Sequence, residues 1–171
     1  MTILIRRETR LDYPAVEEIN RAAFPSPGEA ELVNRLRKTC PAAVSLVAEQ
    51  EGQVCGHIFF SPVTIENPNA PLGMGLGPMA VLPAMQRQGI GSALVQAGLE
   101  ALRETGCPYV IVLGHPHFYP RFGFVPASRY GLHCKWEGIP DEVFMVQELQ
   151  PGCLAGCTGL VQYRPEFDQV T

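Results

Sequence analysis

The run Gln86-Arg87-Gln88-Gly89-Ile90-Gly91-Ser92 has the spacing in this chain best suited to chemistry. Its two glycines fall at the expected start of a helix, just after the strand-like segment Gly77-Pro78-Met79-Ala80-Val81-Leu82. The first N–H groups of a helix have no acceptor within it, and the helix dipole adds partial positive charge there, so an anion is attracted. With no Cβ at 89 and 91, the backbone can approach a pyrophosphate closely and hold it by main-chain donors. The same glycines would also permit a tight strand-to-helix turn that binds nothing.

Two familiar phosphate motifs do not fit. A Walker-type loop needs Gly-Lys-Ser/Thr, and the chain contains no Gly-Lys pair. A dinucleotide fingerprint needs Gly or Ala three residues after its second glycine, where this chain has Leu94 (from Gly91) or Pro78 (from Gly75). Gln86, Gly89 and Gly91 do match the Gln/Arg-x-x-Gly-x-Gly/Ala signature of the GNAT acyltransferases. Met79-Ala80-Val81-Leu82-Pro83 precedes it, and Tyr119-Pro120-Arg121-Phe122-Gly123-Phe124 follows the next strand. On these three motifs, in this order, the chain resembles the GNAT N-acetyltransferase superfamily over roughly residues 3–149, in particular the bacterial predicted N-acetyltransferases of the YhbS type.

That resemblance implies an acyltransferase that moves an acetyl group from acetyl-CoA to a primary amine by direct attack within a ternary complex. It implies that Gln86, Arg87, Gln88, Gly89, Ile90, Gly91 and Ser92 receive the CoA pyrophosphate. The main chain of Met79, Ala80 and Val81 would pair with the pantetheine arm, and the Val81 N–H would face the thioester carbonyl, where negative charge develops. Tyr119, matching Tyr-x-x-x-Gly-Phe, would give a proton or a hydrogen bond to the leaving thiolate; the plainer reading is a core tyrosine beside Phe118 and Phe122. Many members carry an Asn ahead of this tyrosine, and residues 112–118 contain none. Glu29, Glu31, Glu66, His57, His115 and His117 are open options for a general base, and none stands out. A non-catalytic acyl-CoA-binding sensor or regulatory module therefore remains the alternative, and an interaction protein pairing through its apolar strands is a further rival.

The elements that must position these residues can be read in order. Ile3-Leu4-Ile5 starts a strand; Asp12, as cap, and Pro14 announce a helix with Val16, Ile19 and Ala23 on its apolar side, broken at Phe24-Pro25. A second helix runs from about Glu29 to Lys38. Val44–Ala48 and Val54–Phe60 flank Glu51-Gly52 as a hairpin, and 66–77 reads as a loop or a loosely paired strand start. The glycine helix shows Ile90, Leu94, Ala97, Gly98 and Ala101 on one face and ends at Gly106. Strands at Tyr109–Leu113 and Phe144–Val146 follow, with one more at Gly159–Tyr163 in the tail. The order is α+β, and the resemblance implies the GNAT (acyl-CoA N-acyltransferase) fold: a mixed, mostly antiparallel sheet with splayed central strands, flanked by helices. Residues 1–171 read as a single N-acetyltransferase domain with a core of about 3–149 and a C-terminal extension of about 150–171.

Composition bounds the rest. With 46% hydrophobic and 18% charged residues the chain reads as globular, and a net charge of −4 without a basic stripe argues against nucleic acid. No apolar run suggests a signal peptide or membrane span, so a cytoplasmic protein without a membrane partner is expected. The six cysteines, at 40, 55, 107, 134, 153 and 157, form no Cys-x-x-Cys pair and read as free thiols. His115-Pro116-His117 lacks a third ligand nearby, so no metal is expected. The net negative charge mildly favours a cationic acceptor, a small-molecule or protein amine, and the chain is expected to be a monomer or homodimer.

Overall fold

Local signals set the first elements of the computed structural model, which describes residues 2–170. Strand β1 (Ile3–Arg7) pairs antiparallel with β2 (Val44–Gln50), and β2 with β3 (Gln53–Ile65). The β2–β3 turn holds Glu51 at φ 52° and Gly52 at φ 79°, the two-residue geometry whose twist matches the flanking strands. Between β1 and β2 run helices α1 (Tyr13–Ala23) and α2 (Gly28–Thr39). Pro14 sits in the first turn of α1, where its missing N–H is harmless, and Phe24 leaves in extended conformation ahead of Pro25.

Asp12 precedes α1 as expected but does not cap it with its side chain. Its carboxylate accepts from the Thr9 N–H at 2.7 Å and from the Arg6 guanidinium at 2.7 and 2.9 Å, tying the end of β1 to the entry of the helix. The Arg6 hydrogen bonds hold this carboxyl at a pKa of about 2, against the cost of its burial.

The chain divides into two compact units: residues 2–61, 77–100 and 165–170 in one, residues 62–76 and 101–164 in the other. In the first unit, both faces of β3 are covered. One face carries Phe59, which packs with Val47 of β2 against Val16 of α1 and Leu32, Val33 and Leu36 of α2; Phe167 and Val170 near the C-terminus close this cluster. On the other face, Gly56 and Phe60 meet α3 (Ile90–Glu104). A strand covered on both sides reads as a continuous apolar run rather than an alternation, and every residue from Cys55 to Ser61 is buried.

In the second unit, the start of β4 (Gly73–Val81) pairs parallel with β5 (Tyr109–Leu113) through Met74–Val110, Gly75–Ile111 and Leu76–Val112. No further β4–β5 pair forms among the described residues, so the ladder ends at Leu76. β5 pairs antiparallel with β8 (Phe144–Glu148), and β8 with β6 (Val125–Pro126). β7 (Leu132–Cys134) runs parallel to β9 (Gly159–Gln162), which pairs antiparallel with Thr64 and Ile65 at the end of β3. The pairing is thus mixed and mostly antiparallel, with helices flanking it.

Two boundaries go beyond the sequence expectation. β4 begins at Gly73, within the segment that read as a loop or a loosely paired strand start; the Tyr109 ring fills the space of a side chain at 73, while Val63 and Tyr163 fill that at 75. Those glycines are packing positions, not loop signals. The stretch 126–142 holds the short strand β7, too brief to show an alternating pattern.

The polar exception in the first core is His57 of β3, which is fully buried. Its Nε2 lies 2.8 Å from the Ser45 Oγ and its Nδ1 3.3 Å from the Asn20 Nδ2, which also donates to the Val16 carbonyl. With Asn20 donating to Nδ1, the ring proton sits on Nε2 and points to Ser45. Burial, and secondarily the nearby Arg37 charge, lowers the His57 pKa to about 3. The unfolded chain binds a proton there below roughly pH 6.5 and the folded chain does not, so stability falls as the pH drops from roughly 6.5 toward 3. His57→Gln is expected to flatten that part of the stability profile, as read from urea midpoints at pH 4, 5, 6 and 7.

Candidate functional site

The glycine run begins where β4 stops. The Leu82 N–H donates to the Cys55 carbonyl at 2.9 Å, and a single 3-10 turn, Pro83–Met85, leads outward. Gln86 is extended, Arg87 takes φ 63° and Gly89 φ 85°, and the chain then enters α3, whose Ala93 N–H donates back to the Gly89 carbonyl at 3.0 Å. A Cβ built at Gly89 would meet no atom within 4 Å, so it is the backbone angle, not crowding, that calls for glycine there. Gln86, Arg87, Gln88 and Gly89 are exposed, Gly91 and Ser92 half-buried, and Ile90 is buried as the anchor of the turn.

The Gln86 side chain turns back, its Nε2 donating to the Val81 carbonyl at 3.1 Å. That bond fixes the loop to the end of β4, a bracing role that the sequence alone does not show. Arg87 is the one Lys or Arg between Lys38 and Arg103, and its side chain is exposed on the loop. First-turn amides, two left-handed residues and one exposed guanidinium together make a surface fit for a phosphate anion. Ahead of the loop, Ala80 and Val81 are buried and Met79 is half-buried.

What places this loop is the seat of α3 on β3. A Cβ at Gly56 would come within 3.0 Å of both Ile90 Cγ2 and Leu94 Cδ1, and one at Gly98 within 2.5 Å of the Phe60 ring. The helix lies against the strand only because two side chains are missing, one on each element. Gly56 was not among the site residues expected from sequence, although a lone glycine inside a strand is the signal of close approach.

Tyr119 opens the 3-10 turn Tyr119–Phe122, with Pro120 in the first-turn position. The residue is only 6% exposed. The edges of Phe118 and Phe124 meet its ring at centroid distances of 5.0 and 5.7 Å. Burial raises its pKa to about 12, so the phenol keeps its proton throughout the neutral range. Its hydroxyl makes no hydrogen bond among the described residues.

The base options separate. His57 is fully buried with both ring nitrogens engaged, so it cannot reach an incoming amine. Glu66 is exposed and accepts from the Gln162 side chain at 2.7 Å. Glu31, His115 and His117 are exposed, and Glu29 has one carboxylate oxygen buried without a hydrogen-bond partner. Among the described residues no group of three or more His, Cys, Asp or Glu side chains could hold a metal ion, and no helix is long and apolar enough to cross a membrane. All six cysteines are free thiols, and burial raises the pKa of Cys55, Cys107, Cys134 and Cys153.

This fold and loop define a family. The chain belongs to the acetyltransferase (GNAT) family, whose profile matches residues 13–124, and it is an acyltransferase enzyme. It is 39% identical over 168 residues to the uncharacterized N-acetyltransferase YhbS of Escherichia coli K12, covering 98% of this chain and 99% of that one. It is also 39% identical over 153 residues to the uncharacterized N-acetyltransferase YjhQ of the same strain, covering 85% and 84%. The crystal structure of Escherichia coli YhbS in complex with CoA matches with a TM-score of 0.91 and 38% identity, covering 99% of this chain and 93% of that one. A Brucella melitensis GNAT acetyltransferase in complex with acetyl-CoA matches with a TM-score of 0.77 and 33% identity, covering 98% and 99%.

Filling either glycine seat has a definite expected cost. Gly98→Ala should destabilise the protein by about 1–3 kcal/mol through overpacking against Phe60, measured as a shift of the urea midpoint at unchanged slope. The same change at Gly138, where a Cβ meets nothing but φ is 76°, provides a comparison that carries backbone strain alone.

Proposed function

We propose that this enzyme transfers the acetyl group of acetyl-CoA to a primary amine by direct attack in a ternary complex. The observation that carries this reading is the loop itself: left-handed Arg87 and Gly89 lead into the first turn of a fifteen-residue helix and leave exposed main-chain donors beside one cation. The CoA and acetyl-CoA complexes of the two similar structures support it. In this reading Gln86, Arg87, Gln88, Gly89, Ile90, Gly91 and Ser92 hold the pyrophosphate, with Gln86 acting through its bond to Val81. The main chain of Met79, Ala80 and Val81 pairs with the pantetheine arm, and the Val81 N–H stabilises the oxygen of the tetrahedral adduct.

The chemistry balances without a covalent enzyme intermediate. The acceptor ammonium loses a proton to solvent, its nitrogen attacks the thioester carbon, and the nitrogen of the adduct then releases a second proton to solvent. The C–N bond forms and the C–S bond breaks; the Tyr119 hydroxyl gives its proton to the departing thiolate and regains one from solvent. Holding donor and acceptor together supplies much of the acceleration by proximity. The acceptor is an amine metabolite or a protein amine, and we take residues 1–171 to act as one N-acetyltransferase domain.

Isothermal titration with acetyl-CoA tests the donor: saturable binding is expected, and no heat at millimolar ligand would overturn the reading. Tyr119→Phe is expected to lower kcat at least about a hundredfold, the lower end of the range for a general acid, with little change in acetyl-CoA affinity. The kcat profile should rise with pH as the amine deprotonates and show no fall assignable to Tyr119 below about pH 11, because burial holds this phenol near 12. Tight binding of acetyl-CoA with no transfer to any amine in a broad screen would instead support the sensor alternative.

A further inference from the structure

Gly114 follows β5 directly, and its N–H donates to the Val143 carbonyl at 3.0 Å. Its φ lies outside the left-handed region, so nothing in the backbone asks for glycine. Space does. A Cβ built at this position would lie 2.2 Å from Tyr119 Cε2, 2.7 Å from Cδ2 and 3.2 Å from Cζ. The Tyr119 ring therefore rests on the bare α-carbon of residue 114 along its Cδ2–Cε2 edge, with Cε2, the neighbour of the hydroxyl-bearing carbon, nearest.

The rest of the ring's surroundings are also packing contacts. Phe118 and Phe124 present edges to it at interplanar angles of 85° and 76°. The Tyr119 main chain is held by a bond of 3.4 Å from its N–H to the carbonyl of His115, the residue next to Gly114. No hydrogen bond among the described residues fixes the hydroxyl. The position of the phenolic oxygen is thus set by ring packing alone, and glycine at 114 is the part of that packing that no other residue type can reproduce. A contact of 2.2 Å leaves a β-methyl no room unless the ring moves.

We infer that Gly114 is a positioning residue for acyl transfer: its missing side chain holds the Tyr119 hydroxyl at the place where it meets the leaving sulfur. This rests on the proposed acid role of Tyr119 and extends it to a residue that touches neither substrate. The nucleotide loop takes no part in the contact, so donor affinity and transfer should respond separately.

The test uses the full chain carrying Gly114→Ala, Tyr119→Phe and both together. Thiol release from acetyl-CoA is followed with a mixed panel of propylamine, spermidine and a lysine-containing peptide, and acetyl-CoA affinity is measured by calorimetry. The expected result is a kcat at least tenfold lower for Gly114→Ala, an acetyl-CoA Kd within twofold of the parent, and a double variant no slower than Tyr119→Phe alone. A phenolate absorbance titration gives a readout independent of turnover: the step lost in Tyr119→Phe should move toward lower pH in Gly114→Ala as the ring is lifted from its seat.

If Gly114→Ala proves poorly folded, Gly114→Ala with Tyr119→Leu removes the clash, and its urea midpoint should recover relative to Gly114→Ala alone. Unchanged kcat in Gly114→Ala beside a slowed Tyr119→Phe would overturn the role of Gly114 and leave the acid in place. Unchanged kcat in Tyr119→Phe would overturn both. A Gly114→Ala protein whose midpoint does not respond to Tyr119→Leu would show that the ring contact is not what demands glycine.

Discussion

The closest constraint in the first unit is the contact of α3 with β3. Helix and strand come together at Gly56 and Gly98, each of which gives up its side chain so that Ile90, Leu94 and Phe60 can occupy the space. Because Ile90 is the first residue of the helix, that contact also decides where the loop before it starts and which way the first-turn amides face. A larger residue at 56 would act on the very turn that the loop depends on. The donors and backbone angles of the run are thus local chemistry, while its placement belongs to packing some thirty residues away in sequence.

A strand buried on both faces has a cost in polar groups. His57 sits in the middle of β3, and the fold answers it with Ser45 on one nitrogen and Asn20 on the other, leaving the ring neutral. The accounting is not complete, since the Asn20 Oδ1 and the Ser61 Oγ are buried without a hydrogen-bond partner. Around this core, charged pairs act as ties between elements. Arg37 of α2 reaches Glu8 beyond β1 and stacks over the Tyr13 ring at 4.0 Å, while Arg6 joins Asp12 and Glu49. The Arg37–Glu8 side chains are largely shielded, so their pairing resists salt better than a surface pair such as Arg21–Glu17.

In the second unit glycine and tyrosine are matched repeatedly. Tyr109 lies over Gly73 and donates to the Pro71 carbonyl at 3.0 Å, Tyr163 lies against Gly75, and Tyr119 lies on Gly114. Each ring takes the place of a side chain that the facing glycine does not have. The result is a set of rings with little freedom, and for Tyr119, whose hydroxyl makes no hydrogen bond among the described residues, packing alone sets the position of the ring.

Much of this was legible in order along the chain. The Glu51-Gly52 hairpin, the span of α3 with its stop ahead of Gly106, and the family itself followed from short-range patterns, because turn dihedrals, helix periodicity and a Gly-x-Gly spacing are properties of a few neighbouring residues. The start of β4, strand β7 and the side-chain bond of Asp12 were not legible, since each is set by a partner distant in sequence: Tyr109, Gly159–Val161 and Arg6. The candidate site divides the same way. Residues 86–92 announce a phosphate loop by type and spacing, yet the bracing bond from Gln86 to Val81 and the seats at Gly56 and Gly98 exist only when the chain is folded. His57 is the sharpest case: its residue type made it a candidate base, and burial between Ser45 and Asn20 withdrew it. Sequence by itself determined the elements and the chemistry available to them; tertiary structure decided which groups are accessible and how closely elements approach, because burial and contact depend on residues far apart in the chain.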